Sequence, residues 1–250
     1  EFPVIKDSTI AILSSIISTI IEYPYHRIRL SSYLIRTGVH NGYPFPSLET
    51  IKMAYNQDGI GYFWGGVQPS IIRNSVSVTV LLTVKNYLTR NFVENKNLKN
   101  HQLILSNIVC GSIAGFVRTI TTQILSYRLY DDKIKPFKLI GLNLFRGVLY
   151  GGISFGIYDT MTMKFPELTD QNSGFGVLKN FSVTLLSMMM AGYVVSPVDY
   201  IHRRFALQSQ LPPEKQNFHG FVDGLMKIYK LERIALYRNS LRLFPYSVFI

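Results

Sequence analysis

An apolar run that meets a proline and then turns abruptly charged fits poorly into a water-soluble fold. This chain carries one at Gly192-Tyr-Val-Val-Ser-Pro-Val-Asp-Tyr-Ile-His-Arg-Arg-Phe-Ala-Leu-Gln208. Proline inside a helical pattern removes a backbone donor and clashes with the carbonyl four residues back, so Pro197 is expected to kink its helix. Asp199, His202, Arg203 and Arg204 follow directly. Charges placed just after a kink, at the end of an apolar run, mark a helix leaving a bilayer. Asp199 and His202 are three apart and share a helical face, where they can pair with another element.

Composition points the same way. At 47% hydrophobic and 16% charged, 250 residues are too apolar and too charge-poor for an ordinary soluble domain. The formal net charge of +11 suits anionic lipid or anionic solutes. The basic residues flank apolar runs and form no separate patch, which argues against nucleic acid. Cys110 is the single cysteine, so an intrachain disulfide and a cysteine-based metal cluster are excluded. Beside Gly111 in an apolar run, it reads as packing. The chain opens at Glu1-Phe2 and closes on an apolar run at Ile250, and trimmed ends are expected.

Six apolar segments follow one another. The first, Ser8 to Ile21, is uncharged and ends at Glu22-Tyr-Pro24-Tyr-His26-Arg27-Ile-Arg29. A polar link from Arg36 to Pro46 leads to a short amphipathic helix, Ser47 to Asp58, which Gly59, Gly61, Gly65, Gly66 and Pro69 break. The second, Gln68 to about Phe92, is long enough to span, since about 20 residues cross a ~30 Å hydrocarbon core. A polar loop, Asn91 to Asn100, precedes the third, Gln102 to Tyr130. There Gly111-Ser-Ile-Ala-Gly115 has the small-residue spacing that lets two helix backbones approach in lipid, and Arg118 lies inside the span. The fourth, Leu139 to Met163, is rich in glycine. The fifth, Gly174 to Leu207, holds Met188-Met189-Met190, read as gap-filling packing. After an amphipathic piece, Phe218 to Leu231, the sixth runs from Asn239 to Ile250, too short to cross.

The pattern repeats internally. Pro24 and Pro197 open equivalent motifs, each followed by an amphipathic stretch, an aromatic break and an apolar helix with an early arginine. The breaks are Phe63-Trp64-Gly65-Gly66 and Leu236-Tyr237-Arg238-Asn239; the arginines are Arg73 and Arg242. The middle of the chain supplies a weaker third copy. The expected division is about 1–97, 98–170 and 171–250 within one domain.

At these residues the chain resembles the mitochondrial carrier family. Ser196-Pro-Val-Asp-Tyr-Ile-His-Arg-Arg204 is similar to the family's Pro-x-Asp-x-x-basic signature, and Phe218-His-Gly220 with Asp223, Lys227 and Leu236-Tyr-Arg238 to the segment after it. Phe155-Gly-Ile-Tyr-Asp-Thr160, with Lys85 and Arg73, looks closest to the ADP/ATP carriers. The resemblance implies an all-α membrane protein of six tilted transmembrane helices, in three pseudo-symmetric pairs, in the mitochondrial inner membrane. It implies that charge pairs between Pro-x-Asp-x-x-basic motifs close the matrix side and that aromatic-acid-x-x-basic motifs close the other. Solute would sit between, at Arg73, Arg146, Gly147, Tyr150 and Arg242. Cardiolipin would be held near Trp64, Gly220 and Arg238, because amino ends of helices favour phosphate.

The departures from the pattern shape the functional expectation. The first repeat has His26 where the acid belongs and keeps Arg29; the third keeps Asp199 but has His202 for the base. In the second, Ile124, Ser126 and Leu129 fall on the motif positions. Asp199 with Arg29 is then the one complete pair. On the opposite side Lys85-Asn86-Tyr-Leu-Thr89 lacks its acid and Tyr158-Asp159-Thr-Met-Thr162 lacks its base. Only 18 positions separate Arg128 from Arg146, against 44 from Arg29 to Arg73, so the middle matrix helix is expected to be missing. No metal-ligand spacing, nucleophile–base pair or phosphate loop indicates catalysis, and no cofactor beyond bound cardiolipin is expected. The expectation is therefore an accessory subunit of a respiratory-chain assembly such as cytochrome c oxidase, with lost or altered transport. The alternative is a working exchanger of an anionic solute such as a nucleotide.

Overall fold

The computed structural model describes residues 3–36, 51–52, 55–56, 59–94, 99–129, 140–168, 175–208, 223, 226–227 and 230. Among them the regular structure is helical, in five long helices: α1 (Pro3–Arg36), α2 (Val67–Thr89), α3 (Asn100–Leu129), α4 (Ile140–Lys164) and α5 (Gly176–Gln208). Tight 3₁₀ turns at Ile60–Trp64 and Pro166–Leu168 and a wide turn at Arg90–Glu94 complete them. The first five apolar segments thus all become helices. The expected sixth, with Arg242 and Arg238, lies outside the described residues, as does Gly220.

Both prolines stand inside continuous helices, and α1 and α5 run on past them to Arg36 and Gln208. The helix leaves the apolar stretch without ending there. Among the described residues three helices, α3, α4 and α5 as far as His202, are long and apolar enough to cross a membrane; α1 contributes a shorter apolar stretch, Thr9–Tyr25. The second segment meets the expectation of length, but α2 is not among these spans. Its sequence alternates aliphatic with hydroxyl and amide residues, and Ser70, Ser75 and Ser77 are buried.

The pattern of burial is inverted from that of a soluble domain. Ser15, Thr19, Asn107, Ser154, Asp159 and Ser187 are buried, while Ile17, Leu105, Phe116, Phe181 and Val194 are exposed. With no water to satisfy them, polar groups turn inward and aliphatic surface faces outward, as lipid requires.

The chain divides into two compact units, Glu1–Val78 and Thr79–Ile250, with the boundary inside α2. In the first, hydroxyl and amide contacts join α1 to α2: Ser15 Oγ donates to Ser75 Oγ at 2.9 Å, and Asn74 Nδ2 donates to Thr19 Oγ1 at 3.2 Å. Gly66, at φ +80°, takes the left-handed turn that starts α2, where a Cβ would come within 3.2 Å of the Tyr23 hydroxyl.

In the second unit α3 and α4 pack backbone to backbone. A Cβ on Gly111 would strike Gly151 O, and one on Gly115 would strike Gly147 O. The expected close approach at Gly111 and Gly115 therefore has its partner in Gly147 and Gly151, a second pair four apart. Thr119 Oγ1 turns back to donate to Gly115 O at 2.8 Å, so the hydroxyl beside Gly147 is satisfied within α3. On α5, fully buried Ile201 packs against Leu142 of α4.

Candidate functional site

Two ion pairs of the second unit lie towards opposite ends of α4. At the end approaching Lys164, the half-motifs that each lacked a partner complete one another. Lys85 Nζ of α2 stands 2.8 Å from Asp159 Oδ1 of α4, with side chains 14% and 5% exposed. The ammonium also lies 5.7 Å from the centroid of the Phe155 ring, one turn earlier on α4, where the negative ring face adds to the attraction. Sequence spacing finds each half-motif incomplete because it compares positions within one repeat. The pairing joins two.

Further side chains fasten the same end. Tyr158 donates its hydroxyl to Asn180 Oδ1 of α5 at 3.0 Å, and Asn107 Nδ2 of α3 donates to Thr160 Oγ1 at 3.2 Å. Asn107 is fully buried. Within two residues of Asp159, α4 is therefore tied to α2, α3 and α5. Neither Asn107 nor Asn180 belongs to an expected motif; a lone amide inside an apolar run was the available signal, because buried amides need partners.

At the other end Arg146 Nη1 donates to Asp199 Oδ1 of α5 at 3.1 Å, with side chains 44% and 27% exposed. Asp199 was expected to pair with Arg29, whose side chain lies outside the described residues, as does that of His26. Among the described side chains Asp199 meets Arg146, a residue the resemblance placed in the solute site. Tyr150 lies one turn along α4, within electrostatic reach of both Asp199 and Arg118. Arg118 in turn feels Arg146 and Tyr150. The glycine contact explains this grouping, since it draws α3 close to α4 beside Arg118. Arg118, Arg146, Tyr150 and Asp199 thus form one cluster on three helices. Gly147 faces Thr119 of α3, and His202 is partly buried one turn beyond Asp199.

In the first unit Arg73 Nε donates to Asn74 Oδ1 at 3.4 Å. The aromatic break folds onto the proline of α1. Trp64 Nε1 donates to Ile20 O at 3.0 Å, the carbonyl that Pro24 leaves without its helical donor. Tyr23 donates its hydroxyl to Gly65 O at 2.9 Å, and the Arg27 guanidinium lies over the Tyr62 ring at 5.2 Å. The indole N–H expected near a lipid phosphate is thus engaged by backbone. No group of His, Cys, Asp and Glu among the described residues could hold a metal ion.

Comparison with known proteins agrees with the helical architecture. The family described as "Mitochondrial carrier protein" matches residues 1–96. The chain is 26% identical to the "Probable ADP,ATP carrier protein" of Arabidopsis thaliana over 74% of its length and 64% of the relative's. It is 23% identical to mitochondrial substrate carrier family protein C of Dictyostelium discoideum over 90% of its length and 51% of the relative's. It is 25% identical to the ADP,ATP carrier protein ER-ANT1 of Arabidopsis thaliana, over 86% of this chain and 80% of that one. The chain thus spans under two thirds of the first two relatives. Repeated proline motifs, the helical architecture of the described residues and these likenesses point the same way: the first 96 residues match the mitochondrial carrier family, and over most of its length the chain is similar to proteins named as carriers.

Proposed function

We propose that the chain is a carrier that exchanges an anionic solute, a nucleotide in the first instance, across the mitochondrial inner membrane by alternating access. The observation that carries this reading is the Lys85–Asp159 pair. Alternating access needs two states of similar free energy, each held by interactions the other lacks. A buried pair between α2 and α4, built from the remnants of two closing motifs, supplies one state with such an interaction. The relatives named for ADP and ATP add support, as do the arginines at the other end of α4.

The accessory-subunit reading drew its support from latches that looked erased. Lys85 and Asp159 restore one of them, so that reading loses part of its ground. Cardiolipin remains the proposed lipid partner, favoured by the net charge of +11.

The test is reconstitution of the purified full chain into liposomes with labelled ADP, ATP, inorganic phosphate and malonate. Saturable exchange that Arg146→Ala abolishes is the expected result. No saturable exchange of any probe, together with stable co-migration with cytochrome c oxidase on native gels, replaces the carrier with the accessory subunit.

A further inference from the structure

We infer that Phe92, Phe165 and Phe175, with the bases beside them, form a collar that seats the Lys164 end of the helices in the headgroup layer of a bilayer and draws anionic phospholipid there. The inference uses only the membrane placement in the carrier reading above and holds whether or not a solute is exchanged.

Level is the first argument. The contacts of Lys85 with Asp159, Asn107 with Thr160 and Tyr158 with Asn180 set α2, α3, α4 and α5 side by side at one height. At 1.5 Å rise per residue, α2, α4 and α5 reach their ends about 8–11 Å beyond it. What they end on is alike. α2 passes Thr89 into the wide turn that carries Arg90 and Phe92. α4 reaches Lys164 and then Phe165, whose N–H still donates to Met161 O at 2.9 Å. α5 starts beside Phe175, whose carbonyl accepts from Lys179 N at 2.9 Å. Each end thus carries a phenylalanine with a base within one turn.

Exposure is the second. Phe92, Phe165 and Phe175 are 51%, 56% and 71% exposed, and Arg90, Lys99, Lys164 and Lys179 are exposed around them. Such a surface suits neither bulk phase. In water the rings would make an open apolar patch, and in hydrocarbon every cation would be costly. In the layer between, rings enter the edge of the acyl chains while basic side chains extend to the phosphates. Among the described side chains at this height Glu167 is the exposed acid against four bases, so the collar is complementary to anionic headgroups. None of its residues belongs to the lipid contacts that the resemblance implies at Trp64, Gly220 and Arg238.

Depth is the third. A hydrocarbon core of ~30 Å corresponds to about 20 helical residues. Counted back along α4 from Phe165, that distance ends at Phe145, which is exposed. Counted along α5 from Phe175, it ends at Val195, just before Pro197. The charged residues after the proline then fall at the opposite boundary, so one bilayer thickness accounts for both ends.

The experiment places single tryptophans in the full chain in liposomes. Trp64→Phe removes the one native indole, and Phe165→Trp, Phe175→Trp and, for the interior, Ile113→Trp each replace an exposed side chain in that background. Lipids brominated near the headgroup should quench Phe165→Trp and Phe175→Trp more than lipids brominated near the chain end, and Ile113→Trp should show the reverse order. Energy transfer from Phe165→Trp to dansyl-labelled phosphatidylglycerol should exceed that to dansyl-labelled phosphatidylcholine, by about fivefold for each lysine that meets the layer. Lys164→Gln with Lys179→Gln should cut this preference severalfold without moving the bromine profile. If acrylamide in the water quenches both collar positions and neither bromolipid does, while Ile113→Trp still answers to the deep bromine, the inference is overturned: the collar is a surface for a soluble protein, and the carrier reading stands. Equal transfer to the two dansyl lipids, or a preference that the lysine changes leave intact, overturns the choice of anionic lipid. If neither bromolipid reaches Ile113→Trp, the chain does not span, and the carrier reading falls with the inference.

Discussion

One helix, α4, presents two acid–base pairs about 20 Å apart, from Arg146 to Asp159, and they are built to opposite specifications. Lys85–Asp159 is buried, sits over an aromatic ring and is flanked by the amide contacts of Asn107 and Asn180. Arg146–Asp199 is open and lies beside a second arginine and a tyrosine. Burial decides what each can do. Removing one partner of a buried pair strands a charge in a poor solvent, so such a pair holds structure until a large change breaks it. An open pair costs little to part and can be exchanged for another anion. The difference teaches that the same residue types make a buried tie at one end of α4 and a readily parted contact at the other.

The largest test of that contrast is Lys85→Met. With Asp159 left alone in the interior, the folded chain should lose about 3 kcal/mol, seen in detergent as a melting temperature lower by roughly 6–12 °C. Adding Asp159→Leu should recover most of the loss, since an apolar pair of similar volume removes the stranded charge. A single variant that melts like wild type would show the pair to be no latch, and the contrast between the ends would collapse.

Gly115→Ala comes next, because the glycine contact underlies both ends. A Cβ there would run into Gly147 O and lie 3.1 Å from Gly147 C, so α3 must move from α4. The expected cost is about 1–3 kcal/mol, the range for overpacking, seen as a lower melting temperature. The same change at Gly141, which has open space around it, should be nearly silent in the same melting assay. Equal effects at the two positions would mean that backbone approach does not set the spacing.

These expectations show which parts of the molecule the sequence made legible. Helices α1 to α5 were readable because apolar periodicity and proline or glycine punctuation are local properties. The Gly111 and Gly115 approach was readable for the same reason, although its partners Gly147 and Gly151 were only a glycine-rich run. The pairing of charges was not readable. Lys85 and Asp159 are separated by 74 positions, and each looked incomplete beside its own motif. Asp199 was assigned to Arg29 by repeat symmetry, a contact that lies outside the described side chains, and no repeat pattern announced that the packing of α4 and α5 brings it to Arg146. Trp64 looked like a lipid contact because no local pattern states that Pro24 leaves Ile20 O in need of a donor.

That carbonyl supplies a neutral yardstick for the two ion pairs. Trp64→Phe keeps the ring but withdraws the N–H from Ile20 O, which should lower stability by about 1 kcal/mol, the net worth of a typical hydrogen bond. In a Pro24→Ala background the helix can supply its own donor to Ile20, so Trp64→Phe should then cost much less. Thermal unfolding of the four chains closes the cycle. Equal losses in both backgrounds would mean that the indole acts by filling space, not by answering the proline.

Against that yardstick the Arg146–Asp199 pair should fall at or below a neutral hydrogen bond. Arg146→Gln should cost no more than about 1 kcal/mol in melting experiments, because solvent already screens both partners. Salt gives a sharper discrimination than size. At 1 M ionic strength the screening length falls to about 3 Å, so the difference between Arg146→Gln and wild type should shrink towards zero. The penalty of Lys85→Met should persist, since mobile ions do not enter the contact of Lys85 and Asp159. A salt-resistant loss at Arg146 would place both pairs in the same class. The Arg146 end of α4 would then be a second latch, and the contrast between the two ends would be lost.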